Sequence, residues 1–143
     1  MPTPAPLPGP ITLERKGPFT WLEVNGWHGG RRGVRRKPDG TLSLLLDYGL
    51  SGYLDYWEGE TLRYLGDGVS GDQQMTPTTL LMLEALEAGT ACRVWERLRP
   101  NVWYDLSWMK FVDVRRKESD GRQVFEFDLI VLNKSGKLEW EAL

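Results

Sequence analysis

The chain has 143 residues, 41% hydrophobic and 27% charged, a balance ordinary for one globular domain with a real core. Its formal net charge of −2 argues against a generic nucleic-acid coat, because non-specific DNA affinity comes mainly from Lys and Arg neutralising phosphates. The single Cys92 excludes an intramolecular disulfide and a Cys-rich zinc site, and the single His28 excludes an HNH or zinc centre.

Residues 1–10 hold five prolines and no charge, so they read as an extended arm, followed by one domain over residues 11–143. Phe19 to Val24 has the β-branched and aromatic content of a strand, with Asn25-Gly26 as its closing turn. Arg31, Arg32, Arg35, Arg36 and Lys37 then crowd into seven positions ahead of the turn Lys37-Pro38-Asp39-Gly40. Five positive charges so close would repel each other, so the run is expected to be an anion-binding loop leading into the apolar strand at 41–46.

The most informative stretch is residues 52–72. Gly52-Tyr53-Leu54-Asp55-Tyr56-Trp57 leads into a turn at Glu58-Gly59 and the alternating strand Thr61-Leu62-Arg63-Tyr64. Leu65, Gly66, Gly68 and Gly71 follow, in a loop whose glycines allow positive φ and close backbone approach. Tyr53 and Tyr64 are placed to face each other across a flat group, with Asp55 beside them as an acceptor. That is the outline of a pocket for a planar, amine-bearing ligand.

Thr76 as N-cap, Pro77 in the first turn and Gly89 at the C-terminus bound the main predicted helix, with Leu80, Leu83 and Leu86 or Glu87 on its packed face. The C-terminal half reads as strands. These are Ala91 to Trp95, a loop over 97–101, a long or bent strand over 102–114, a hairpin turn at 118–121, and a strand over 123–132. Tyr104 and Trp108 are expected in the core. Several short strands with one main helix predict a β-rich α+β fold, a twisted sheet or partly closed barrel.

Three segments together resemble the SRA (SET and RING associated, or YDG) domain, a PUA-like fold, in its bacterial form found with HNH restriction nucleases. Gly52-Tyr53-Leu54-Asp55-Tyr56-Trp57 is similar to the family's G-Y-x-D-x-W. Tyr64-Leu65-Gly66-Asp67-Gly68-Val69-Ser70-Gly71-Asp72-Gln73 is similar to its Y-x-G-x-G-x-x-G-D. Tyr104-Asp105, with Phe111 to Val114 and Val124 to Leu129, is similar to the Y-D-G strand and the terminal apolar strand. Leu106 replaces the expected glycine, and no counterpart of the eukaryotic finger loop is visible.

The resemblance implies a reader of double-stranded DNA carrying 5-methylcytosine or 5-hydroxymethylcytosine, which acts by flipping the base. Tyr53 and Tyr64 would sandwich the flipped ring, and Asp55 would accept from the cytosine amine. Gly66 and Gly68 would bring backbone against it, with Leu65 and Trp57 at the pocket wall. Asp72 would organise the loop, and Arg31, Arg32, Arg35, Arg36 and Lys37 would hold phosphates. The chain is expected to be no enzyme, to need no cofactor or metal, to sit in the bacterial cytoplasm away from membranes, and to rely on another domain or partner for any nuclease. The alternatives are a PUA-like module binding RNA or a modified nucleoside, a metal-dependent nuclease in its own right, and a protein-interaction domain.

Overall fold

The computed structural model describes residues 7–49, 55–66, 68 and 70–132. The elements run β1 (Lys16–Phe19), α1 (Trp21–His28), β2 (Val34–Arg36), β3 (Leu42–Leu46), β4 (Tyr56–Glu58), β5 (Thr61–Leu65), α2 (Pro77–Ala88), β6 (Ala91–Arg99), β7 (Val102–Ser119) and β8 (Arg122–Val131). The strands form one mixed, open sheet in the order β2-β3-β6-β7-β8-β5-β4, with β1 paired to β7 off that path. Only the β3–β6 pair is parallel among the described strands.

β7 shapes the molecule because it belongs to two halves of the sheet. Its residues 102–110 pair with β6, and residues 109–119 pair with β8. Within the first stretch Ser107 takes a left-handed φ of 64°, and within the second the register slips between Phe111 and Asp113. Such bulges bend and twist a strand. Asp105 fixes the first bend by accepting from the Ser107 N–H at 2.7 Å while it pairs with Arg93. The left-handed position is therefore Ser107, and Leu106 is free to bury in the core. The β7–β8 hairpin closes on Asp120 (φ 49°) and Gly121 (φ 76°), the two positive values that a tight primed turn requires.

The main core lies between the sheet and α2, built from Leu42, Leu44 and Leu46 of β3, Leu62 of β5, Met109 and Phe111 of β7, and Phe127 and Leu129 of β8. α2 starts at the Thr76 cap, whose Oγ1 accepts from the Thr79 N–H, and ends at left-handed Gly89. Its buried centre is Thr79, Met82 and Ala85; of the expected face, Leu83 and Leu86 pack partly buried against the core, while Leu80 is exposed. The helix is one position out of the predicted phase because the leucines outnumber the buried positions.

The largest correction falls at the N-terminus. Residues 21–28 form a helix, where a strand over 19–24 and a turn at Asn25-Gly26 were expected. Thr20 and Glu23 make a reciprocal capping box, and that local signal overrides the strand propensity of Trp and Val. The basic run is corrected too. Residues 34–36 are strand β2, antiparallel to β3, instead of loop. β6 likewise runs to Arg99, through part of the expected loop at 97–101.

Candidate functional site

A cavity of about 350 Å³ opens where the ends of β3 and β5, the loop after α1, the first turn of α2 and the β6–β7 turn converge. Its size is that of a small-molecule site. Leu45, Asp47, Asp55, Tyr64, Leu65 and Gly66 contribute from the β3 and β5 side. Trp21, Arg31, Arg97, Asn101 and Trp103 contribute from the other elements.

Asp55, only 6% exposed, is the buried carboxyl of this cavity. Its Oδ1 accepts from the Leu65 N–H at 2.8 Å, which ties the entry to β4 against the end of β5. Burial, with the Asp47 charge adding to it, pushes the carboxyl up to about 8 and outweighs the Leu65 hydrogen bond that lowers it. At neutral pH the carboxyl is thus mostly protonated, and it accepts from an amine only after giving up that proton. Tyr64, 5% exposed, lines the same cavity and donates its hydroxyl to the Leu45 carbonyl at 2.8 Å, linking β5 to β3. Tyr53 lies outside the described residues.

The glycine loop is organised by Gln73. Its amide donates to the Gly66 carbonyl at 2.7 Å and the Gly68 carbonyl at 3.0 Å, and its Oε1 accepts from the Phe125 N–H at 2.7 Å. A Cβ on Gly66 would fall 2.8 Å from that Oε1 and 3.1 Å from the Phe125 Cβ, so a larger residue would displace Gln73 from the Phe125 amide. Asp72 accepts from the Gln123 N–H at 2.8 Å, and Arg122 donates to the Gly68 and Gly71 carbonyls. Gln73 is absent from the expected site. Gln73 closes the glycine-rich segment, but its role rests on the contact to Phe125, 52 residues away, which no local pattern marks.

Trp57 does not line the cavity. Its indole donates at 2.9 Å to Tyr48, whose hydroxyl in turn donates to the fully buried Glu96, and Arg15 grips that carboxylate through two nitrogens. This network braces the N-terminal segment, the β3 exit and β4 together.

The basic run is divided. Arg31 reaches the cavity, its guanidinium 5.7 Å from the centre of the Trp21 ring. Arg32 and Arg36 are exposed, and Arg35 lies half-buried beside Gly29 and Gly30. Lys37 donates to the Trp27 and His28 carbonyls at the end of α1, where a cation favours the helix dipole. His28, fully buried, donates from Nε2 to the Arg32 carbonyl at 2.6 Å and accepts at Nδ1 from Ser43. Burial holds its imidazole below the usual range, so it is a neutral brace that fixes the basic segment to β3.

Among the described residues no group of three or more His, Cys, Asp or Glu is placed to hold a metal, and no helix is long and apolar enough to cross a membrane.

The open mixed sheet and this cavity define an SRA fold. A solved SUVH5 SRA domain bound to fully hydroxymethylated CG DNA is similar to 90% of this chain over 95% of its own, with a TM-score of 0.67 at 19% identity. KRYPTONITE in complex with mCHG DNA is similar over 84% of this chain and 32% of its own, with a TM-score of 0.68 at 16% identity. At those identities the likeness concerns the fold. The sulfur binding domain and SRA domain of ScoMcrA, complexed with phosphorothioated DNA, is 26% identical with a TM-score of 0.61, over 90% of this chain and 40% of that one. The whole type IV phosphorothioation-dependent restriction endonuclease ScoMcrA is 27% identical with a TM-score of 0.60, and this chain covers 28% of it. No curated protein sequence matches. The chain belongs to the ScoMcrA-like SRA domain family, whose sequence profile matches residues 22–142.

Proposed function

We propose that this domain reads modified cytosine in duplex DNA by accepting the flipped nucleotide into the cavity beside Asp55. The observation that carries the reading is the placement of one buried carboxyl and one tyrosine ring on the wall of a cavity of nucleotide dimensions. Extruding a base costs a few kcal/mol, and stacking on aromatic rings returns about 1–3 kcal/mol per base. Tyr64 supplies one such ring, with Tyr53 as its expected partner. Ionised Asp55 accepts from the exocyclic amine of cytosine, and thymine presents a carbonyl there and is refused. The backbone of Leu65 and Gly66 borders the same space, where a 5-substituent is sensed by contact.

Arg31 contributes a phosphate contact, and the exposed Arg32 and Arg36 add weaker ones. They position the duplex without reading it. Discrimination rests with the cavity, and cleavage is left to a separate nuclease domain or partner of a modification-dependent restriction system. The domain itself is a reader.

Base extrusion is tested with a duplex carrying 2-aminopurine next to a single 5-methylcytosine. Saturating protein is expected to raise the fluorescence several-fold, as the probe loses its stacking neighbour. Binding with unchanged fluorescence would show that the cytosine stays in the helix and would overturn the flipping mechanism.

A further inference from the structure

The cavity contains a second polar feature that the reading of a base does not use. Arg97, on β6, lines it, yet its Nε is buried with no hydrogen-bond partner. Other arginines of the fold are treated differently. Arg15, Arg63, Arg93 and Arg115 each hold a carboxylate, and Arg122 holds two loop carbonyls. No ion pair or hydrogen bond engages the Arg97 side chain among the described residues. Burying part of a guanidinium without an acceptor is costly, and such groups call for a missing partner.

Two further donors share this side of the cavity. Arg31 lies over the Trp21 ring, which fixes its guanidinium without neutralising it. Asn101 uses its Oδ1 to accept from the Trp21 N–H at 2.8 Å, which leaves its NH₂ as the remaining polar group. The cavity's carboxylates belong to its other side. They are Asp47, just past β3, and Asp55, tied to the end of β5 through the Leu65 N–H. The cavity therefore has an acceptor side on β3 and β5 and a cationic side on the loop after α1 and the β6–β7 turn.

We propose that Arg97, with Arg31 and Asn101, forms an anion subsite that takes the phosphate of the nucleotide whose base lies against Asp55. The subsite deepens the reader function proposed above and rests on it. A planar guanidinium fork matches two phosphate oxygens, and partial desolvation strengthens each of those bonds. The cavity then recognises a whole nucleotide, base and phosphate, instead of a free base. The shared chemistry is a phosphate monoanion or dianion, supplied by the DNA backbone or by a free mononucleotide.

The test compares wild type with Arg97→Met, which keeps the apolar stem, and Arg97→Lys, which keeps the charge. On a duplex with one 5-methylcytosine, Arg97→Met is expected to bind about tenfold more weakly and to lower the slope of log K against log salt by about 1. Arg97→Lys is expected to keep the slope and lose part of the affinity. In thermal melting, inorganic phosphate and deoxycytidine 5′-monophosphate are expected to stabilise wild type but not Arg97→Met, while deoxycytidine without phosphate stabilises neither through this subsite. Ligand-free Arg97→Met is expected to melt no lower than wild type, because the lost cation has no partner to orphan. Mononucleotide protection with no duplex effect would place a free nucleotide there and remove the backbone role.

An unchanged salt slope together with unchanged phosphate protection in Arg97→Met would overturn the subsite. A lower melting temperature for the ligand-free variant, with phosphate still protecting it, would make Arg97 structural. Should wild type show no preference for modified over plain duplex, the reader function fails, while the phosphate melts still decide the subsite.

Discussion

Replacing Asp55 by asparagine is expected to reduce affinity for a cytosine-modified duplex by 10- to 100-fold, roughly the worth of one hydrogen bond to a charged group. Asparagine preserves the Oδ1 acceptor that the Leu65 N–H needs, so the β4–β5 end stays closed. It replaces the oxygen facing the ligand with an NH₂ donor, which suits the thymine carbonyl better than the cytosine amine. The variant should therefore narrow or invert the preference for cytosine over thymine at the flipped position. Asp55→Ala is a poorer probe, since it orphans the Leu65 amide and adds a stability loss of about 1–3 kcal/mol.

The titration of Asp55 gives this prediction a pH signature. Burial raises the folded carboxyl from its ordinary 3.8 to about 8, so the folded protein holds a proton that the unfolded chain has released. This contribution to stability is full below about 3.8 and declines as pH rises towards 8. Asp55→Asn removes the decline, and its melting temperature should gain on wild type between pH 5 and pH 8.5. Binding runs the other way: accepting from an amine requires the carboxylate, so wild-type affinity should increase up to about pH 8. A pH-independent affinity in wild type would remove Asp55 from the recognition of the amine.

Gln73→Ala is the second substitution with a large expected effect. It removes three hydrogen bonds from a side chain that is 2% exposed and leaves the Phe125 amide and the Gly66 carbonyl without their partner. A loss of about 3 kcal/mol is expected at that burial, measured by chemical denaturation. Gly66 lines the cavity, so the loosened loop should also weaken modified-DNA binding in protein that is still folded at low temperature. Gln73→Glu keeps Oε1 for Phe125 but points a carboxylate at two carbonyls, and it should be no better than alanine. Unchanged binding by folded Gln73→Ala would separate the loop from recognition.

The parts of the molecule legible in the sequence are those governed by local signals. Thr76, Pro77 and Gly89 mark the ends of α2, and Gly59 and the Asp120-Gly121 pair mark two hairpins. The β-rich fold with its main helix follows from the same strand pattern, while the sheet's being open and not a partly closed barrel does not. α1 was hidden because its Trp and Val residues have strand propensity, and the deciding Thr20–Glu23 box is a four-residue motif within them. The phase of α2 was hidden because leucine occurs on more than one face, and β7 selects Met82 and Ala85 over Leu80.

The motif singled out residues that share a cavity, and the network that braces them left no local signal. Asp55, Tyr64, Leu65 and Gly66 converge on one cavity. Gly68 serves as an acceptor for Gln73 and Arg122, Trp57 belongs to the brace around Glu96, and Lys37 to the end of α1. Arg97 and Asn101 reach the cavity only because the β6–β7 turn folds beside α1, a contact that depends on tertiary structure alone.

The most direct measurement is equilibrium binding to matched duplexes that carry cytosine, 5-methylcytosine or 5-hydroxymethylcytosine at one site, at fixed salt, for wild type and Asp55→Asn. A modified-base reader is expected to favour at least one modified duplex by tenfold or more, about 1.4 kcal/mol, with the preference lost in the variant. Equal affinity for all three duplexes, unchanged by Asp55→Asn, would contradict it.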